Sequence, residues 1–292
     1  METSLVTLRD RWQRRRWRPN EGALALFAHL TPVVVITGAS EGIGLAFARR
    51  FVAEGQHVLL IARSAERLEK AAAELNKTAA TAAGGRVSTL ALDIAAANAL
   101  PALDAKLAEI KAYADILVNN AGVGLSGQFV RSTPEALTDL VNINITALTR
   151  LSRHVLPGQI IRGRGGIINV ASLGGFGPGP YQAAYYASKA YVISLSEALA
   201  VETAGHGVRV TCVAPGPVDT DFHAKMGSLT AWYRRLIPNQ TADQVARRGM
   251  AGYRWGARVI VPSLLTTAMM IGMRIFPHRL TVPIIRRLLR AR

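Results

Sequence analysis

Short apolar runs alternate with amphipathic stretches through most of the chain. Val33-Val34-Val35-Ile36, His57–Ala62, Val87–Leu92, Ile116-Leu117-Val118, Gly166–Val170, Val208–Val213 and Arg258–Pro262 are brief, rich in β-branched residues, and mostly apolar at odd and even positions alike. Runs of that kind predict strands buried on both faces. Between them apolar residues return every three or four positions. Leu45, Ala46, Phe47, Ala48, Phe51 and Val52 follow the first run, and Ser64 stands as an N-cap before a helix reaching Leu75. Further helical stretches reach about Tyr113, extend from Pro134 towards Leu156-Pro157, and span about Ala183 to Thr203. Strands alternating with helices predict an α/β fold, a doubly wound parallel sheet with helices on both faces.

No internal repeat or Ser/Gly linker divides the chain, so residues 32–262 read as one domain between extensions at 1–31 and 263–292. Residues 215–256 lack a strand-like run and hold several glycines and aromatics. In a doubly wound sheet ligands lie at the carboxyl ends of strands, which makes 215–256 the expected lid or substrate wall. With 292 residues and 50% hydrophobic composition, the chain can bury about three quarters of its unfolded surface.

The net charge of +16 is unevenly spread. The first 21 residues hold six arginines against Glu2, Asp10 and Glu21, and from Arg234 onward twelve arginines face only Asp243. The body between is nearly neutral, which argues against a nucleic-acid-binding core and for ends that meet an anionic membrane surface. A solvated basic face is the other reading. From Pro283 onward Ile284, Ile285, Leu288 and Leu289 form a stripe beside Arg286, Arg287, Arg290 and Arg292. That is a basic amphipathic helix suited to a membrane, to the substrate pocket or to a subunit partner. Arg11 to Arg18 and Ala23 to Leu30 have the order of a signal peptide, yet no small-residue cleavage site follows, so the stretch reads as a retained extension. Val259 to Met273, the nearest approach to a spanning segment, is interrupted by Pro262, Ser263, Thr266 and Thr267. The single cysteine, Cys212, lies in a strand-like run and reads as core filler. Its solitude points to a reducing compartment, the cytoplasm, with the ends at the inner face of a membrane.

Candidate chemistry begins at Thr37-Gly38-Ala39-Ser40-Glu41-Gly42-Ile43-Gly44. A strand that turns through glycines into a helix offers free N–H groups and a positive dipole end to a phosphate. A site for NAD would place a carboxylate at the end of the second strand to bind the ribose 2′-hydroxyl. Here the sequence is Ala62-Arg63-Ser64, and a guanidinium at Arg63 suits the 2′-phosphate of NADP(H), with NAD(H) the lesser choice. Arg63 also reads as a plain solvent-exposed strand end, and Glu41 brings an opposing charge. Asp93, at the end of the third strand, either accepts from an adenine amino group or caps the next helix.

Tyr185 and Lys189 share a helical face at a spacing of four, and Tyr186 reaches Lys189 at three, so spacing leaves both tyrosines open. Ser172 precedes Tyr185 by thirteen residues across a Gly/Pro-rich loop. A phenol can protonate a carbonyl that receives hydride, but its ordinary pKa of about 10 is too high for fast exchange near neutrality. A nearby ammonium and the cationic oxidised nicotinamide would lower it, and about three units require about 4 kcal/mol. Ser172 would hold the carbonyl oxygen as negative charge develops.

Thr37–Gly44, Asn119-Asn120-Ala121-Gly122, Ser172, Tyr185-x-x-x-Lys189 and Pro215-Gly216-Pro217-Val218-Asp219-Thr220 together resemble the signature set of the short-chain dehydrogenases/reductases, over roughly residues 32–225. The resemblance implies a Rossmann-type sheet of about seven strands, Tyr185 rather than Tyr186 as acid/base, and Ser172 orienting the substrate oxygen. Lys189 would tune Tyr185 and bind the nicotinamide ribose. Asn144, a better match than Asn142, would hold a water that carries protons from Lys189 to solvent. Asn120, Ala121 and Gly122 would line the cofactor groove, and Val218 and Thr220 would meet the carboxamide and phosphates, beside Pro215 and Gly216. It also implies a homo-oligomer. The expected activity is interconversion of a ketone and a secondary alcohol, the substrate lipid-like if the basic ends meet a membrane. The alternative is a non-catalytic, nucleotide-sensing or membrane-associated interaction protein on the same fold.

Overall fold

A computed structural model describes residues 21–81, 85–228 and 231–290. The basic run Arg11–Arg18 lies outside them. Seven parallel strands, β1 Thr31–Thr37, β2 His57–Ala62, β3 Val87–Ala91, β4 Ala112–Asn119, β5 Gly166–Val170, β6 Arg209–Val213 and β7 Val259–Ile260, form one sheet in the order β3-β2-β1-β4-β5-β6-β7. The order reverses direction between β1 and β4, which opens a crevice at the carboxyl ends of those strands.

Alternation along β1 explains its unbroken apolar run. Val34 and Ile36 join one core, with Phe47 and Phe51 of helix α2 (Gly42–Ala53), Leu68 and Leu75 of α3 (Ala65–Thr81), and Val245 and Met250 of a later helix, Ala242–Trp255. Val33 and Val35 join the other, with Leu103 of α4 (Ala99–Glu109) and Leu151 and Val155 of α6 (Leu148–Arg162). Both faces of the strand are dry, as a parallel sheet between helix layers requires.

A second set of contacts fixes the middle of the sheet. Asn119 Nδ2 donates to Ser152 Oγ at 3.0 Å and to Asn169 Oδ1 at 2.9 Å, and Asn169 Nδ2 donates to Ser196 Oγ at 2.9 Å. These buried groups tie β4 and β5 to α6 and to α7 (Ala183–Thr203), one helix with each serine.

Several sequence expectations are corrected. The fourth helix stops at Glu109 rather than near Tyr113, because Lys111 turns through φ 50° and Tyr113 enters β4. There Tyr113 and Phe27 flank the Arg162 guanidinium, at 4.1 and 4.6 Å from the ring centres. The long helical region does not end at Pro157 but runs to Arg162, ahead of a left-handed Gly163. Its last turn is anchored from outside the helix: Gln159 donates to the carbonyls of Asp115 and Gly166, and Arg162 to that of Ala114. That region is three pieces, α5 (Pro134–Val141), a wider π-helical turn over Asn142–Ala147, and α6. The interval 215–256 is only partly a lid. Short helices α8 (Phe222–Met226) and α9 (Tyr233–Leu236) face the cleft, but α10 (Ala242–Trp255) is a fourteen-residue helix against the sheet, opened by a Thr241/Gln244 capping box. The chain continues into α11 (Leu264–Ile275) and α12 (His278–Leu289), so the basic helix begins five residues before Pro283 and contains it. Among the described residues no helix is long and apolar enough to cross a membrane.

Candidate active site

A cleft of about 670 Å³ runs along the carboxyl ends of the strands, lined from Gly38 and Arg63 at one end to Tyr185 and Leu289 at the other. The glycine turn forms its floor. Gly38 and Gly42 have φ of +63° and +58°, and a Cβ on Gly44 would stand 2.3 Å from the Gly38 carbonyl oxygen. A side chain at these positions would strain or close the turn, so backbone is what borders the cleft. Thr37 supports it from beneath: its hydroxyl accepts from the N–H groups of Asn120 and Ala121, both at 3.1 Å. Asn120 Nδ2 in turn donates to the Thr37 and Gly38 carbonyls, each at 3.0 Å, which clamps the end of β1 to the end of β4.

At the far end of the turn Arg63, Arg67, Lys225 and Glu41 all line the cleft. Arg67 Nη1 lies 3.4 Å from one Glu41 oxygen and Lys225 Nζ contacts the other. The carboxylate that opposed an anionic ligand in the sequence is therefore paired with two cations. Arg67 and Lys225 were missed from the sequence. Arg67 lies one helical turn past Arg63 and was findable, whereas Lys225 comes from the lid. Asp93 lines the cleft, and its Oδ1 accepts from the Ala95 N–H at 2.9 Å in a turn; it does not cap the next helix, which begins after Asn98. Ser40, Ile43, Ala121, Gly122, Pro215, Gly216, Val218 and Thr220 also line the cleft, and Thr220 stands over Gly42.

Ser172, Tyr185, Lys189 and Asn144 meet at the other end. Ser172 follows β5 and caps the next turn, its Oγ accepting from the Gly174 N–H at 3.1 Å while it also hydrogen-bonds the Tyr185 phenol. Tyr186 is turned away and packs over Gly174 and Gly179, where any Cβ would collide with its ring. The Lys189 ammonium donates to the Val170 carbonyl at 3.0 Å and lies 5.8 Å from the Tyr185 ring centre. Asn144 projects from the π-helical turn, a widening common at functional sites. It accepts from Val123 N–H at 2.9 Å and donates to Val123 O and Ser188 Oγ. Asn144 Oδ1 and Lys189 Nζ both border Gly122, within 3.4 Å of where its Cβ would be.

The chain by itself does not lower the phenol. Burial raises Tyr185 to about 12, the Ser172 hydrogen bond opposes that, and Tyr233 adds to it. Burial also pushes the Lys189 ammonium down, to about 8. In the chain alone, desolvation outweighs the pair interaction because the ammonium is directed at Val170 and not at the phenol. Burial likewise drives the Cys212 thiol up to about 12, which makes it an unreactive core residue, as expected.

Beyond Tyr185 the cleft turns apolar. Phe222, Met226 and Tyr233 of the lid meet Met269, Met273, Ile285, Leu288 and Leu289 of α11 and α12. The C-terminal helices thus pack on the domain and roof the pocket. The expected stripe on α12 divides: Ile285 is 8% exposed and Leu289 3%, but Ile284 is 61% exposed. One polar cluster interrupts the apolar wall, with Tyr233 OH 3.0 Å from His223 Nδ1 and 3.2 Å from Ser228 Oγ. Neither His223 nor Tyr233 carried a motif, and only the fold brings them to the site.

The profile of the family described as short chain dehydrogenase matches residues 32–229. A short-chain dehydrogenase from Sphingobium yanoikuyae, solved in complex with NADPH, superposes with a TM-score of 0.72 at 33% identity, covering 84% of this chain and 96% of that one. The bulky-bulky ketone specific alcohol dehydrogenase from Comamonas testosteroni gives 0.69 at 28% identity, over 84% and 95% of the two chains. The 2-(R)-hydroxypropyl-CoM dehydrogenase of Xanthobacter autotrophicus is 34% identical over 222 residues, 75% of this chain and 84% of its own.

Proposed function

From membership of the short-chain dehydrogenase/reductase family, which the matched profile and relatives establish for this chain, we propose an NADP(H)-dependent oxidoreductase that interconverts a ketone and a secondary alcohol. The observation that carries this reading is the convergence of Ser172, Tyr185 and Lys189, with Asn144 buried behind Gly122, at one end of a cleft whose other end holds Arg63, Arg67 and Lys225. The residues suit the cofactor: bare backbone at Gly38, Gly42 and Gly44 leaves room for a pyrophosphate, and three cations surround the place for a 2′-phosphate. When bound, NADPH supplies the hydride.

The chain's own groups supply the rest. Ser172 Oγ donates to the substrate carbonyl oxygen and holds it where negative charge grows. Tyr185 gives that oxygen the phenolic proton. Lys189 stabilises the phenolate left behind, which is the work its buried charge is kept for. Asn144 has used both amide protons and one lone pair of Oδ1, and the remaining lone pair suits a water that returns a proton towards Lys189. A binding protein has no use for a buried ammonium beside a phenol, which disfavours the non-catalytic alternative.

The apolar far wall supports a substrate with a long hydrocarbon arm. In a homologous series of methyl ketones, each added methylene should lower KM about fourfold, the value of about 0.8 kcal/mol of buried CH₂. The purified chain, followed by loss of NADPH absorbance, tests both points; no turnover of any carbonyl would refute the enzyme reading, and a KM indifferent to chain length would refute the apolar arm. For the cofactor, Arg63→Ala should raise the NADPH KM about 10- to 100-fold and leave that for NADH unchanged, as expected for a charge-assisted contact to phosphate. An equal change for both would remove Arg63 from the 2′-phosphate site.

A further inference from the structure

The two helices that roof the pocket have a second face. On α11, Leu264, Ala268, Ile271 and Ile275 recur at helical spacing and all point outward, with Leu264 87% and Ile275 70% exposed. Phe276 continues the stripe across the joint, and Leu280 and Ile284 extend it along α12, each more than half exposed. Scattered single apolar residues on a surface need no explanation, but a continuous stripe over two helices does.

Charge selects the partner. No Asp or Glu follows Asp243 in the sequence, while Arg274, Arg279, Arg286, Arg287 and Arg290 flank the stripe. Arg274 reaches Glu197 at 3.5 Å and Arg286 reaches the Tyr181 hydroxyl at 3.5 Å. Arg279, Arg287 and Arg290 form no ion pair among the described residues. A second copy meeting this face with its own would set arginines against arginines with no carboxylate between them. An anionic lipid surface answers both parts of the pattern, since it takes apolar side chains at the headgroup boundary and attracts the cations beside them. Helices of twelve residues lie in that boundary and do not cross it.

We propose that the outer face of α11 and α12 docks on an anionic bilayer, flat against the interface. This goes beyond the catalytic reading and does not depend on it. Joined to that reading, it sets the pocket wall formed by Met269, Met273, Ile285 and Leu289 on the side of the helices turned away from the lipid, one helix thickness from the acyl chains.

The test is flotation of the full chain with vesicles of phosphatidylcholine alone or with 30% phosphatidylglycerol. About tenfold or greater enrichment on the anionic vesicles is expected, falling as salt is raised. The triple variant Ile271→Ser/Ile275→Ser/Leu280→Ser and the variant Arg279→Gln/Arg287→Gln/Arg290→Gln should each reduce binding about tenfold or more. All six residues are exposed and away from the cleft, so turnover of a short water-soluble ketone should stay at the wild-type level. That separates failure of docking from failure of the enzyme reading. Equal binding of wild type and both variants, or no binding to either vesicle, overturns the proposal. So does concentration-dependent self-association abolished by the serine substitutions without any vesicle binding.

Discussion

Tyr185→Phe is expected to lower ketone reduction about 10³-fold while NADPH still binds with unchanged affinity. The substitution keeps the ring, which is 8% exposed and packed against Tyr186 and Phe222, and removes only the hydroxyl. What is lost is the proton donor at the carbonyl oxygen, and general acid catalysis is worth about 10²–10⁴. Ser172→Ala should follow with a smaller loss of about 10²-fold, because one donor to the developing oxyanion goes while the phenol remains. Turnover is read from NADPH absorbance and binding from the nucleotide's fluorescence. Wild-type turnover in Tyr185→Phe would remove Tyr185 from the chemistry, and a matching loss in Tyr186→Phe would show that the acid had been misassigned.

Lys189→Met should separate stability from activity. The native lysine has its pKa pushed from 10.5 down to about 8 by burial. Between those values the unfolded chain binds more protons than the folded one, so stability rises as pH goes from 8 towards 10.5 and is lowest below 8. A shift of this size corresponds to about 3 kcal/mol at neutral pH, as an order of magnitude. Met keeps the stem volume, removes the charge, and sacrifices the bond to the Val170 carbonyl. The variant should therefore melt about 2–4 °C above wild type at pH 7, and the gap should close by pH 10. Its turnover should fall at least about 10²-fold. Thermal melts at the two pH values decide this; a variant that melts below wild type at both would mean that Lys189 is held by contacts stronger than its desolvation.

The order of strands and helices was legible in the sequence because the inner parallel strands are dry on both faces and the helices on one. The turn at Gly38–Gly44 and the Ser172, Tyr185 and Lys189 set were legible for a different reason, since together they resemble one family's motif set, whereas helical spacing alone left Tyr185 and Tyr186 both open. What was illegible depends on distance along the chain. Lys225 meets Glu41 across 184 positions, and His223 and Tyr233 reach the pocket only because the lid folds over it. On α12, Ile284 and Ile285 are neighbours in one apolar stripe, and only packing against Tyr233 and Ile237 sends one inward and leaves the other out. Helix α10 was hidden by its glycines and aromatics. Gly249 and Gly252 are there so that Phe47, Val213 and Ile260 can approach the helix, not to break it. The burial that raises the Tyr185 phenol was illegible too, because spacing shows who is near whom, but not how deeply each is buried.

The buried amides and hydroxyls of Asn119, Ser152, Asn169 and Ser196 bear on how such a chain can change over generations. Each group leans on another in a different strand or helix, so replacing one strands its partner in a dry interior at a cost of about 1–3 kcal/mol. Replacing the whole string with apolar residues of matched shape is far cheaper, but requires several coincident changes. Drift at one of these positions is therefore blocked by the state of the others. The apolar wall that the roof helices give the pocket, through Met269, Met273, Ile285 and Leu289, carries no such polar string and is left as the part of the molecule where new substrates can be tried.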